Sequence, residues 1–197
     1  MKATAVLLAA LALFAQPALS ATPSGSSNNP LDTRIFKNGL WFGAGGIYSN
    51  LDPDGSGLDD DDDFGFSGTI GWQFLNYFGV NARYKDLGEF SVGSGSSNID
   101  VDVDGFTIGA NAGYPITGRI AIIGGAGYYN FDTKYSGSFV SGTIGGDDED
   151  GLYLSVGGAT QIGRIIISPE LVWYDTDDAD LWSLEFNFYW KTEIGNK

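Results

Sequence analysis

Hydrophobic and polar residues alternate with a period of two along most of this chain. In 64–74, Phe64, Phe66, Gly68, Ile70, Trp72 and Phe74 share one face, and Gly65, Ser67, Thr69, Gly71 and Gln73 share the other. In 152–162, Leu152, Leu154, Val156 and Ile162 oppose Tyr153, Ser155, Gly157 and Gln161. In 165–174, Ile165, Ile167, Leu171 and Trp173 oppose Ser168, Glu170 and Tyr174. In 182–190, Trp182, Leu184, Phe186, Phe188 and Trp190 oppose Ser183, Glu185 and Asn187. Such alternation belongs to strands with one apolar and one polar face. Eight strands are predicted, near 40–50, 64–74, 77–88, 99–114, 119–135, 150–162, 164–175 and 180–191. Glycines blur the faces of 40–50 and 119–135. In 99–114 the phase slips near Asp104-Gly105, from Val101 and Val103 to Phe106, Ile108 and Ala110. A β-bulge at Gly105 explains the slip. So does a strand that leaves an apolar environment at that point.

The orientation of the faces decides the class. A soluble barrel turns its apolar face inward, whereas a membrane barrel turns it to lipid and keeps a polar interior. The apolar faces here carry bulky aromatics near strand ends: Phe64 and Phe74, Phe78 and Tyr84, Trp173, Trp182 and Trp190. That placement suits an interfacial girdle. The polar faces are mostly Gly, Ser, Thr, Asn and Gln, which suit the crowded interior of eight strands better than a wet surface. The prediction is therefore an all-β fold, an eight-stranded antiparallel up-and-down transmembrane β-barrel. Strands of about 10 tilted residues are long enough to cross a bilayer. The polar faces also carry mid-strand charges, Arg83, Lys85, Glu170 and Glu185. Parity points all four inward, and a charge in a narrow interior is costly unless partnered. Arg83 and Lys85 are thus expected to pair with Glu170 and Glu185. The alternative for Lys85 is a place near the rim, in water.

The ends of the chain read differently. Lys2, the apolar run 3–15 and the small residues Ala18 and Ser20 form a secretory signal peptide over 1–20. The run is shorter than the ~20 residues of a spanning helix. Residues 21–38 read as a flexible linker, 39–191 as the barrel and 192–197 as a short tail.

Composition narrows the chemistry. Lys+Arg 10 against Asp+Glu 25 gives a net charge of −15, unfavourable for binding a nucleic-acid backbone. Cys and His are both absent, which excludes disulfides, thiolate metal sites, His-ligated zinc and Ser-His-Asp catalysis. Paired carboxylates remain able to do acid–base work, but no isolated pair stands out from the acidic background.

Charge and loop length sort together. The links near 75–76, 115–118 and 163 are short, while 51–63, 89–98, 136–149 and 176–179 are mostly longer. The long-loop end carries Asp52, Asp54, Asp59 to Asp63, Glu89, Asp100, Asp102, Asp104, Asp147, Asp148, Glu149, Asp150, Asp175, Asp177, Asp178 and Asp180, with Lys134 the nearby cation. The short-turn end carries Arg34, Lys37, Arg119, Arg164, Lys191 and Lys197. A strongly negative outer rim follows. Within it, 52–63 reads DPDGSGLDDDDD. With Asp52 as position 1 of a calcium loop, Asp54, Ser56, Leu58 (by its carbonyl), Asp60 and Asp63 fall at 3, 5, 7, 9 and 12. The plainer readings are a solvated acidic loop, or a diffuse rim holding Ca²⁺ or Mg²⁺ shared with lipopolysaccharide phosphates.

Three segments, WFGAGGIYSNLD (41–52), IGWQFLNYFGVNARYKDLGEF (70–90) and PELVWYDTDDADLWSLEFNFYW (169–190), resemble the OmpA-type eight-stranded outer-membrane barrels. The resemblance spans 39–191 and implies the outer membrane as location and an ionic barrel core. It also implies outer-membrane lipid and lipopolysaccharide as surroundings. Two departures stand out: Glu185 occupies the place of a family glycine, and Lys-Thr-Glu-Ile-Gly-Asn-Lys follows Trp190. No cell-wall-binding domain follows the barrel in this sequence. Such barrels serve as anchors, adhesins, small pores and surface antigens. The favoured reading is a non-enzymatic structural or surface-interaction barrel, and the alternative is a small pore or conduit for small or apolar solutes. A carboxylate-based enzyme and a soluble periplasmic ligand-binding barrel are the remaining classes.

Overall fold

The structure, a computed structural model, describes residues 38–53, 61–75, 77–94, 97–117, 119–137, 140–162, 164–176 and 179–193. The expected signal peptide and residues 21–37 of the expected linker lie outside them. The strands are β1 (Gly39–Pro53), β2 (Asp61–Leu75), β3 (Phe78–Ser94), β4 (Ser97–Pro115), β5 (Ile120–Gly137), β6 (Val140–Ile162), β7 (Ile165–Tyr174) and β8 (Ala179–Glu193). Each pairs antiparallel with its neighbour in sequence, and β1 pairs with β8. The sheet is thus a closed up-and-down barrel of eight strands. Closure leaves no sheet edge within the lipid, where an unpaired main-chain group has no water to turn to. β8 continues to Glu193, past the expected boundary at 191.

The apolar faces point outward. Phe64 is 75% exposed and Ile108 66%, and Phe66, Ile70, Trp72, Phe106, Phe186 and Phe188 are exposed with them. This is the inverted arrangement of a membrane barrel. The outer edge of the apolar band is drawn by rings that touch across strands: Tyr48 and Phe64 at 5.2 Å, Tyr84 and Phe106 at 5.3 Å, Tyr48 and Trp182 at 6.1 Å.

Two expectations need correction. The segments 89–98 and 136–149, read as long outer loops, are mostly strand. β3 and β4 stay paired up to Ser94↔Ser97, and β5 and β6 up to Gly137↔Val140. Beyond the lipid the outward positions become Asp and Ser, so the apolar period stops while the ladder continues. The bulge is not at Gly105 either. β4 pairs without a break on its β5 side, and the irregularity lies on β3 between Asp86 and Gly88. Odd positions of β4 face inward throughout, from Val101 and Val103 to Thr107. What changes at Gly105 is the environment of the outward side, from water to lipid.

The β3 bulge has a clear cause. Gly88 adopts φ +100°, a conformation open to glycine and strained for other residues. The extra residue flips the parity of β3, so Leu87 and Phe90 both turn inward and are fully buried. With Ile47, Val101, Val103, Tyr129, Phe131, Val172, Tyr174 and Leu181 they fill the outer part of the barrel as an apolar plug. A second apolar cluster of Trp41, Ala121, Ala159, Ile166 and Tyr189 lies toward the short-turn end. There Gly71 is required by packing, because a Cβ on it would run into the Trp41 ring.

Candidate functional site

Between the two apolar clusters lies a layer of charge. Arg83 and Lys85 project from alternate positions of β3, and Glu170 and Glu185 stand directly opposite one another on β7 and β8. Two carboxylates in direct cross-strand register repel. Arg83 bridges them: its Nη1 donates to Glu185 Oε2 at 3.1 Å, and its Nη2 to both oxygens of Glu170 at 3.1 and 3.2 Å. Lys85 donates to Glu185 and, at 2.7 Å, to the Tyr174 hydroxyl. Lys85 is 0% exposed, so it lies inside beneath the plug rather than at the rim. Its Nζ also sits 5.2 Å from the Tyr174 ring centroid and 5.8 Å from that of Tyr153.

Neutral donors complete the layer. Tyr189 donates to Glu170 at 2.9 Å, Ser168 to the same oxygen at 3.2 Å, and Ser183 to Glu185 at 3.2 Å. Asn187 donates to both carboxylates at 3.3 and 3.4 Å, and Ser67 donates to its amide oxygen at 3.1 Å. Parity in β7 and β8 already placed Ser168, Ser183 and Asn187 beside the glutamates. Tyr189 shares that parity, and an aromatic residue so close to Trp190 gave no hint of its role. The four charges sum to zero, and the surrounding hydroxyls and the Asn187 amide donate to carboxylate oxygens beside the ion pairs, as buried carboxylates require. Most donors of the layer are spent on its two carboxylates, and Nε of Arg83 is the exception.

Below Arg83 the interior is not filled. A cavity of about 60 Å³ extends from Arg83 and Glu170 past Asn81, Asn111 and Ser155 to Gln73 and Lys191. Gln73 and Lys191 pair with Gly39 and Trp41, the first rungs of β1, so the cavity reaches the short-turn end.

The outer surface above the lipid is acidic. Asp86, Asp104, Asp132 and Asp148 stand in direct register on β3, β4, β5 and β6, forming one row across four strands. Lys134 donates to Asp104 at 2.6 Å, and Tyr84 donates to the same carboxylate at 3.2 Å. A hydrogen bond with Asp148 raises the Asp132 carboxyl above its ordinary value, with desolvation and the Asp148 charge adding to it. The Lys134 ammonium is raised in turn by its hydrogen bond to Asp104.

Of the calcium-loop residues, Asp54, Ser56, Leu58 and Asp60 lie outside the described residues. Asp52 is the last residue but one of β1, opposite Asp180 of β8. Asp63 lies within β2, and its carboxylate accepts the Glu89 N–H at 2.7 Å, while Asp61 accepts the Ser91 N–H. These two aspartates cap main-chain donors of β3 where β2 has parted from it, a use the run of acids did not disclose. Among the described residues no group of three or more acidic ligands is arranged to hold a metal ion.

A family model described as the outer membrane protein beta-barrel domain matches residues 6–164. No curated protein sequence matches significantly. Among solved structures, the chain is similar to Ail, the attachment invasion locus protein of Yersinia pestis, solved in complex with the heparin analogue sucrose octasulfate. The TM-score is 0.57 at 18% identity, over 79% of this chain and 99% of that one. It is similar to the outer membrane protein OprG from Pseudomonas aeruginosa, with a TM-score of 0.59 at 14% identity, over 83% and 100%. Neisserial surface protein A gives 0.55 at 11% identity, over 78% and 97%. At these identities the likeness is one of fold.

Proposed function

This chain belongs to the outer membrane protein beta-barrel family and is integral to the outer membrane, and from that premise we propose that it catalyses no reaction and acts as a filled barrel whose acidic outer collar is its interaction surface. The observation that carries this reading is the row Asp86, Asp104, Asp132 and Asp148. Like charges in cross-strand register destabilise a sheet, so the row is a burden to a barrel that serves only as an anchor. It is useful to one that holds cations at the membrane surface.

The row begins at the next outward position beyond Tyr84 and Phe106, where headgroups lie. Lipopolysaccharide phosphates there are anionic and this collar repels them unless Ca²⁺ or Mg²⁺ stands between. Divalent ions shared by collar and phosphate are the partners this surface fits, since hard oxygen ligands suit both ions. The sulfated ligand in the Ail structure does not carry over directly, because a polyanion meets the wrong sign of charge on this collar. The test is flotation of the purified barrel with lipopolysaccharide vesicles over a Mg²⁺ titration, repeated with Asp104→Asn and Asp148→Asn combined. Mg²⁺-dependent association lost in the variant supports the reading. Association independent of both Mg²⁺ and the two carboxylates overturns it. Passage of small solutes is the second reading; the cavity below Arg83 favours it, and the plug above opposes it.

A further inference from the structure

We propose that the cavity beneath Arg83 is a one-ended binding pocket for water and small uncharged solutes that carry both a hydrogen-bond donor and an acceptor, entered from the short-turn end and sealed outward by the aromatic plug. Two buried polar atoms at its walls have no protein partner among the described residues: Nε of Arg83, a donor, and Oδ1 of Asn81, an acceptor. Both side chains line the cavity, and they are 7% and 5% exposed. Buried polar groups are nearly always paired, so these two define what an occupant must offer, an acceptor to one and a donor to the other.

Volume and charge bound the occupant further. About 60 Å³ exceeds the ~10–15 Å³ that one water needs, so a few waters or one solute of a few heavy atoms fits. Arg83 and Lys85 are balanced by Glu170 and Glu185 immediately above, so the upper end of the pocket favours neither sign. An uncharged amide meets all three conditions. The walls are partly apolar, through Trp41 and Ile166, which suits a small organic molecule as well as water.

The pocket does not continue upward. Above the charged layer Tyr129 stacks on Phe131 at 4.8 Å, and Tyr174 meets their ring centroids at 5.5 and 5.2 Å. Leu87, Phe90 and Val172 are each 0% exposed and close the remaining gaps. The barrier to passage is therefore this apolar layer, set above ion pairs that water reaches from below.

The chain lacks cysteine, so single cysteines report access cleanly. Ser155→Cys and Asn111→Cys place a thiol in the pocket, and Val172→Cys places one in the plug. Each barrel is reconstituted in vesicles, checked for heat-modifiable gel mobility, and treated with methyl methanethiosulfonate, with and without formamide. Ser155→Cys changes little more than one atom, and Asn111→Cys is the independent second position. The expectation is modification at 155 and 111 about tenfold or more faster than at 172, where a local opening must come first. Formamide should slow it saturably, and adding Asn81→Leu should abolish that protection. Equal rates at 155 and 172 overturn the pocket. Modification without saturable protection overturns the solute site. Equal reaction from the loop side of oriented vesicles overturns the seal.

Discussion

Replacing Arg83 by Met removes the one cation among the described residues that bridges both interior carboxylates. Glu185 keeps Lys85, but Glu170 loses its only cation among the described residues and keeps the neutral donors Tyr189, Ser168 and Asn187. Breaking a buried pair from one side typically costs about 3–5 kcal/mol, because the remaining charge stays buried and uncompensated. The three neutral donors hold the expected loss to the lower end of that range, about 3 kcal/mol. With a urea slope of roughly 1–3 kcal/mol per molar, the unfolding midpoint should fall by about 1–3 M. The assay is urea unfolding in lipid vesicles, followed by tryptophan fluorescence and by gel mobility without heating. The decisive measurement is the cycle with Glu170→Gln. Once Glu170 is neutral, Tyr189 and Asn187 still have an oxygen to donate to, and Arg83→Met should cost markedly less. A coupling of about 2 kcal/mol or more is expected, within the usual span for residues in one network. Additive losses would falsify the direct pair, whatever the size of each single effect.

Gly88→Ala forces a side chain into φ +100° at the β3 bulge, where its Cβ also meets the Asp63 carboxylate; a loss of about 1–2 kcal/mol is expected in the same unfolding assay. Ile108→Arg puts a charge on the lipid-facing side of β4 and should cost about 2–4 kcal/mol if it lies near the bilayer midplane, whereas a cost near zero would place Ile108 out of the lipid. The Asp132 carboxyl is raised, so the folded barrel holds that proton to higher pH than the unfolded chain does. Stability is then greatest below the unfolded value near 3.8 and falls as pH rises through the raised one. Asp132→Asn should flatten that fall in a series of thermal melts, and an unchanged profile counts against the Asp132–Asp148 contact.

Much of this architecture was legible because a membrane barrel obeys one rule, period two, with chemistry assigned to each side. Parity alone placed Arg83, Lys85, Glu170 and Glu185 inside, and distance then followed from a barrel too narrow to keep them apart. Parity did not say which cation would take both acids. That depends on reach, and the forked guanidinium spans the Glu170–Glu185 pair where the Lys85 ammonium meets one carboxylate. The rule failed where the solvent outside changes. Asp102 and Asp104 continue the outward face of Phe106 and Ile108 without a break, yet they read as a phase slip because apolar residues moved to the other side. It failed again at Phe90, which turns inward where strict alternation puts Glu89, since an inserted residue is invisible to a pattern that assumes strict alternation.

The same bulge ties the outer seal to the charged layer. Arg83 and Lys85 face inward with odd parity, and without Gly88 that parity would carry Glu89 inward next and turn Phe90 out. An extra carboxylate would then stand above Lys85 in a space now filled by aromatic rings. The four charges below it are balanced, so a fifth would be unpaired and costly. The inserted residue instead sends Glu89 to the water-facing side, where its N–H is held by Asp63, and brings Phe90 into the plug. One glycine therefore separates a neutral, sealed interior from an acidic exterior on the same strand.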